Sequence, residues 1–452
     1  MSKQVNIEYQ SEPNYLNFQF SENSLLETLE ININNIKSIK PNWKRTHYRA
    51  VINWLTKYKP LSDSPNPEKI KGYLEAFYHL CEVEAWEKGG KILLTRLNTP
   101  SNELLHDQLD TWGYYLQQSD LYRKLIGKSG IGLDAICLTG LGKAYHAQHK
   151  YYEAINYLFQ SLIIRLLIKD IQGFGTNLGY LGLVFDSLGH SNLALEYHHK
   201  HLAIARQLQD REGERMALGN LGNAYISLGN CVKAEEYHQQ HLALGQELKH
   251  LKSEGNALGC LGIIHNALNK PQKAIEFHNK RLLIAQAIQH RSGEMEALNN
   301  LGLVYESQEE YTKALQYYQR ALVIAPEIRD ISSEGKLLIN IGNVYRNLGN
   351  YILSIEHLQQ SLKIMRELRH PRVEGNILRY LGNTYYFQGN HFQAIDCYKQ
   401  SLRIRQQLQD QEGQEQILIY LGMACCALGN YTQAIKYNQQ HLALLQVDKN
   451  SL

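Results

Sequence analysis

At 452 residues and a formal net charge of +3, the chain is too long for one compact core and carries no global field that would draw nucleic acid or an acidic membrane. Its seven cysteines (Cys81, Cys137, Cys231, Cys260, Cys397, Cys425, Cys426) are scattered, odd in number and without CxxC spacing, which argues against a disulfide framework or a zinc knuckle. No basic-then-apolar leader opens the chain and no apolar run reaches the roughly 18 residues of a membrane span, so a soluble cytoplasmic protein without a cofactor is expected.

Residues 1–35 hold one lysine against five glutamates, and residues 36–59 hold seven lysines and arginines and no acid. The second stretch predicts a helix from about Lys44 to Tyr58, with Tyr48, Val51, Ile52 and Leu55 on one side. Its basic face has the composition of a phosphate contact; the simpler reading is a solvated face on a small helical cap. SDSPNPEK at 62–69 reads as a linker, with Asp63 or Ser64 near a helix start. The N-terminal segment is thus drawn at 1–63. At least three further helices are expected between Ile70 and Lys128, as degenerate hairpins in which Trp112-Gly113 stands for a Leu-Gly pair. Together, residues 64–130 form a cap on the helices C-terminal to them. IGKSG at 126–130 echoes a phosphate-binding loop, but Tyr122 stands where the first glycine belongs and a helix leads in, so it is not one.

From residue 131 to 446 a period of forty residues repeats eight times. Glycine recurs at each fortieth position from Gly142 to Gly422, preceded by leucine except at Ile341. An alanine follows twelve residues later, from Ala154 to Ala434, with Ser354 the single exception. Within one copy, Leu218, Leu221, Tyr225 and Leu228 share one face of a first helix. Gly229 or Asn230 then takes the left-handed conformation that ends it. A second helix carries Ala234, Tyr237, Leu242 and Leu244 to about Leu248, and QDREGE at 209–214 is a polar connector. Each copy is therefore a helical hairpin whose apolar face is buried only by stacking on its neighbours. Gly222, Ala234 and their equivalents sit where two helices cross closely.

This order of Leu, Leu-Gly, Tyr, Gly-Asn, Ala-Ile, Tyr and Leu resembles the tetratricopeptide repeat family. The forty-residue unit, six longer than the usual one, resembles the subtype of Pins/LGN-type adaptors and of cyanobacterial arrays. The resemblance implies an all-α, right-handed superhelical solenoid whose first helices line a concave groove. The cap resembles the segment preceding such repeats in bacterial nucleotide-dependent signalling proteins.

Catalytic motifs are absent from the sequence. His198 and His201, like His238 and His241, stand one helical turn apart, a spacing that can hold a metal. Equivalent histidines of successive repeats are roughly 20 Å apart, two helix widths, so packing is the simpler role and no metal is expected. Cys425 stands in the core aromatic slot beside Cys426 and reads as a buried thiol.

Residues flanking Leu-Gly on the first helices are left over for binding. Asparagine recurs there although it is a mediocre helix former, and its amide can pair with a peptide main chain. By resemblance, that role falls to Asn220, Asn223, Asn300, Asn340, Asn343 and Asn383. Lys336, Arg346 and Arg379, with Tyr380 and Tyr386 beside them, have the composition of a binding hot spot. The alternative is that the asparagines bond one another and the arginines pair with acids such as Glu296 and Glu306. At the far end, Leu442, Leu444 and Leu445 read as partly bare, a surface for a second copy, before a tail at 447–452. The expectation is a non-enzymatic scaffold that holds a linear, acidic peptide of another protein. A regulator contacting nucleic acid through the basic helix is the alternative.

Overall fold

The computed structural model describes residues 22–61, 64–99, 103–328 and 330–449. Ser62 and Asp63 of the expected linker, most of the acidic segment and the end of the tail lie outside them. The described residues are helices and short turns, with one isolated bridge between Arg96 and Leu104. The chain divides into two compact units, Met1–Leu244 and Gly245–Leu452.

Among the described residues, six α-helices come first: α1 (Glu22–Thr28), α2 (Asn42–Thr56), α3 (Asn66–Glu82), α4 (Trp86–Leu93), α5 (Leu105–Thr111) and α6 (Tyr115–Leu125). The hairpins then alternate. Their first helices are α7 (Ile131–Ala147), α9 (Ile171–Ser187), α11 (Arg211–Ser227), α13 (Leu251–Ala267), α15 (Arg291–Ser307), α17 (Ile331–Asn347), α19 (Pro371–Phe387) and α21 (Gln411–Ala427). Their second helices are α8 (Tyr151–Leu167), α10 (Ser191–Gln207), α12 (Cys231–Glu247), α14 (Pro271–Ala287), α16 (Tyr311–Glu327), α18 (Tyr351–Glu367), α20 (His391–Gln407) and α22 (Tyr431–Lys449).

Three residues join each of these helices to the next, and among the described residues the middle one turns left-handed. Gly229 does so at φ 71°, and Gln209 and Lys249 at 56° and 53°. Asn230 N–H then donates to the Tyr225 carbonyl and Gly229 N–H to that of Ile226, both at 2.9 Å, the bond pair of a Schellman helix end. Gly229 thus ends α11, while Asn230 starts α12 by accepting from Lys233 N–H at 3.2 Å. At four of the joints between hairpins an aspartate takes that part: Asp210 Oδ1 accepts from Gly213 N–H at 3.0 Å, and Asp170, Asp330 and Asp410 cap likewise, while His250, His290 and His370 stand at the others. The stretch QDREGE is therefore mostly the first turn of α11. It is no connector, because a side-chain cap lets the helix restart at once.

Leu218, Leu221 and Tyr225 are buried on one face of α11, but Leu228 is 45% exposed because it lies past the helix end. The small residues mark close crossings. A Cβ on Gly222 would lie 2.5 Å from Nε2 of His238, and one on Gly182 would lie 2.4 Å from Cε1 of His198. The same slot holds Tyr318 opposite Gly302 and Tyr398 opposite Gly382. The recurring histidines are thus core residues seated on glycine.

The segment before the repeats departs from expectation in two places. Trp112 caps the end of α5 and Gly113 has φ 79°, so this pair is a turn between helices and not a mid-helix notch. Helix α3 starts at Asn66 after Pro65, later than Asp63 or Ser64. The basic helix α2 buries Val51 and Ile52, with Tyr48 and Leu55 packed beside them, in a core that reaches Cys137 and Leu141 of α7. Lys143 of α7 ties the two parts together through Asp107 and Asp110 of α5, at 3.3 and 3.5 Å.

Candidate functional site

In the second unit, α13 touches α15 and α17 touches α19, whereas no successive second helices approach as closely among the described residues. The first helices therefore line the inside of that stack. On α17 the buried residues Leu337, Leu338, Ile341 and Val344 face the core. That leaves a stripe of Lys336, Asn340, Asn343 and Arg346, at helical spacing, for the other face. On α19 the corresponding stripe is Asn376, Arg379, Tyr380, Asn383 and Tyr386.

Of these side chains, Arg346, Arg379 and Tyr380 lie near one another. The Arg379 guanidinium lies 4.3 Å from the centre of the Tyr380 ring. Arg346, on the neighbouring first helix, donates to Asn347 Oδ1 at 3.2 Å. Burial depresses the Arg346 pKa below the usual range; Tyr380 opposes the shift, the Arg379 charge adds to it, and Glu306 and Tyr398 oppose it again. Neither arginine, nor Lys336, has a carboxylate within 4.0 Å among the described residues. Arg379 Nε and Asn343 Oδ1 are buried without a hydrogen-bond partner. Arg346 is thus within electrostatic reach of both Arg379 and Glu306, while neither guanidinium has a carboxylate in ion-pair contact among the described residues.

The acids expected to neutralise them are engaged elsewhere. Glu296 pairs with Arg281 of α14. Glu306 accepts from the Tyr318 hydroxyl at 2.7 Å, and burial raises its pKa against the pull of that bond and of Arg346. Tyr398 donates to Asn383 Oδ1 at 2.7 Å. Both tyrosines occupy the slot opposite glycine, so a core position delivers a hydroxyl to the inner face. Tyr318 and Tyr398 were not among the expected site residues; their register in the forty-residue period was the available signal.

The asparagines differ in what remains open. Asn340 donates to Asn299 Oδ1 at 3.0 Å, directly linking α17 to α15, and Asn299 donates to Asn300 Oδ1 at 3.4 Å. Tyr386 leans on His391 at the hairpin turn, with ring centres 5.1 Å apart. Asn220 and Asn223 lie on α11, half-buried and exposed, in the first unit.

Elsewhere, burial drives the imidazoles of His198 down to about 3 and of His201 to about 4. No three His, Cys, Asp or Glu side chains among the described residues converge on a point where a metal would sit. Cys425 is buried, which raises its pKa, while Cys426 is exposed. No helix among the described residues is long and apolar enough to cross a membrane.

The tetratricopeptide repeat profile matches residues 175–247, 253–327, 333–407 and 373–447, more than half of the chain. The chain belongs to the tetratricopeptide repeat family. Among solved structures it is similar to a Signal Transduction ATPase with Numerous Domains protein with a tetratricopeptide repeat sensor from Pyrococcus horikoshii. That match has a TM-score of 0.59 and 15% identity over 92% of this chain and 65% of the other. A Rap protein complexed with Competence and Sporulation Factor gives a TM-score of 0.53 and 13% identity over 84% of this chain and 98% of that one. The apo form of RapI gives 0.50 and 16%, over 61% and 99%. At these identities the likeness is one of fold. No curated protein matches the sequence significantly. Tetratricopeptide repeats are generally non-enzymatic scaffolds for protein–protein interaction, and this chain has that architecture.

Proposed function

We propose that the chain holds a linear, acidic segment of another protein along the first helices of its second unit. The observation that carries this reading is the pair Arg346 and Arg379, without a carboxylate partner among the described residues and with Arg379 Nε buried and unbonded. An incoming carboxylate pairs with the guanidinium groups in charge-assisted bonds. Lys336 extends the positive stripe, and Tyr380 and Tyr386 add rigid aromatic area. The amide groups of Asn300, Asn340, Asn343 and Asn383 suit a peptide main chain, as do those of Asn220 and Asn223 in the first unit. The Rap protein of similar fold, complexed with Competence and Sporulation Factor, supports occupancy of such a stack by a ligand. The free thiols of Cys81, Cys137 and Cys397 support a cytoplasmic setting.

Mass spectrometry of proteins retained from host lysate by the wild type and by an Arg346→Ala/Arg379→Ala variant tests the reading. A protein kept by the first and lost by the second is expected; identical sets refute the groove. The nucleic-acid alternative is not favoured, since α2 is docked by its apolar side into the N-terminal core.

A second surface supports self-association. Ile435, Leu442 and Leu445 of α22 are 57%, 57% and 38% exposed, whereas Leu362 and Met365 of α18, equivalent to Leu442 and Leu445, are buried by the next hairpin. A dimeric mass by light scattering at micromolar concentration is expected, and a monomeric mass refutes it.

A further inference from the structure

We propose that the inner face of the second unit reads the order of charges along its occupant. A cationic side chain is placed against Glu306, a carboxylate against Arg346 and Arg379, and an apolar side chain against Ile419 and Met423. This rests on the groove reading and deepens it.

Three registers of the inner face change their chemistry through successive repeats. Glu306 on α15 and Arg346 on α17 are forty residues apart and so occupy equivalent positions, as do Arg379 on α19 and Ile419 on α21. Asn383 and Met423 form a third such pair. The inner face is therefore acidic at α15, basic across α17 and α19, and apolar at α21. Each patch is open. Among the described residues, Glu306 has only the neutral Tyr318 hydroxyl as a hydrogen-bond partner and no cation within ion-pair distance. The arginines have no carboxylate in ion-pair contact, and Ile419 and Met423 are 42% and 48% exposed, one helical turn apart.

Charge also selects the type of anion. Two guanidiniums with one nearby carboxylate leave the cluster at about +1, which matches a single carboxylate better than a doubly charged phosphate. Glu306 repels the surplus charge of the phosphate and attracts a cation next along the chain. Burial of Glu306 sharpens this, because a half-dry carboxylate gains more from a partner than a solvated one does. The spacing follows from geometry. Successive first helices are between one and two helix widths apart, about 10–20 Å, and an extended chain rises roughly 3.3 Å per residue. Cation, carboxylate and apolar side chain are thus separated by roughly three to six residues each.

The experiment is a selection of random linear dodecapeptides displayed on phage against the purified full chain. The enriched peptides are then synthesised with a fluorescent label and titrated by anisotropy. Expected winners carry Lys or Arg, then Asp or Glu, then an aliphatic residue in that spatial order. A peptide of the same composition with cation and carboxylate exchanged should bind about tenfold or more weakly. Arg379→Ala should weaken the winners about thirtyfold, the scale of a hot-spot residue. Glu306→Gln, which keeps the Tyr318 contact, should weaken only peptides that carry the cation. If exchanged-order peptides bind equally, or Glu306→Gln affects all peptides alike, charge-order reading is overturned and the groove stands. Should nothing be enriched, or the winners ignore the Arg346, Arg379 and Glu306 substitutions, both readings fall.

Discussion

Acid should loosen the repeats through their core histidines, and the size of the effect follows from their burial. His198, His201, His238 and His278 are at most 2% exposed. Burial, the main cause at each, depresses their pKa from 6.5 to about 3 at His198 and about 4 at the others; His201 and His199 add to it at His198, and Asp210 opposes it at His201. Below pH 6.5 the unfolded chain takes up protons that the folded rings refuse. Stability is therefore fully present above about pH 7.5, falls as the pH drops through 6.5, and levels off near the folded values. At pH 5 each such ring costs about 2 kcal/mol relative to pH 7.5. The pair His198 and His238 together should account for about 4 kcal/mol. Leucine stands at the same register as Leu158 and Leu358, against Gly142 and Gly342, so the glycine notch accepts it. A His198→Leu/His238→Leu variant, unfolded in urea at pH 7.5, 6 and 5 and followed by helicity, should lose that part of the pH dependence. Carboxylates titrate alike in both proteins and cancel. A slope identical to that of the wild type would refute the reasoning.

Gly222→Ala should cost about 1–3 kcal/mol by overpacking against the His238 ring, read as a lowered melting temperature. Asp210→Ala removes the acceptor for Gly213 N–H and should cost about 1 kcal/mol, with faster amide exchange in the first turn of α11 than in wild type. Lys143→Met leaves Asp107 and Asp110 without their shared cation, and limited proteolysis should then cut α5 and α6 sooner while sparing α9 onward.

The repeat, its hairpin and its glycine notch were legible in the chain alone, because each is a local or strictly periodic property. Leu218, Leu221 and Tyr225 repeat at helical spacing, and Gly222 returns every forty residues wherever a ring or branched side chain must approach. Helix ends were half legible. Gly229 announces itself, whereas Gln209 and Lys249 take the same left-handed turn without a glycine, held there by Schellman bonds that residue type does not reveal.

The site was legible as a set of candidates and no further. Which candidates are engaged depends on residues brought together from far along the chain. Asn340 meets Asn299 forty-one positions away, Glu296 is taken by Arg281 on the preceding helix, and Tyr398 reaches Asn383 from the core side. The electrostatic coupling of Arg346 and Arg379, thirty-three residues apart on separate helices, and the lack of an ion-paired carboxylate at either, arise only when hairpins stack. Periodicity therefore determined which face of each helix is inside. Only the tertiary structure decided which polar groups on the other face remain unpaired, because hydrogen-bond and charge satisfaction depend on neighbours across helices and not on spacing within one.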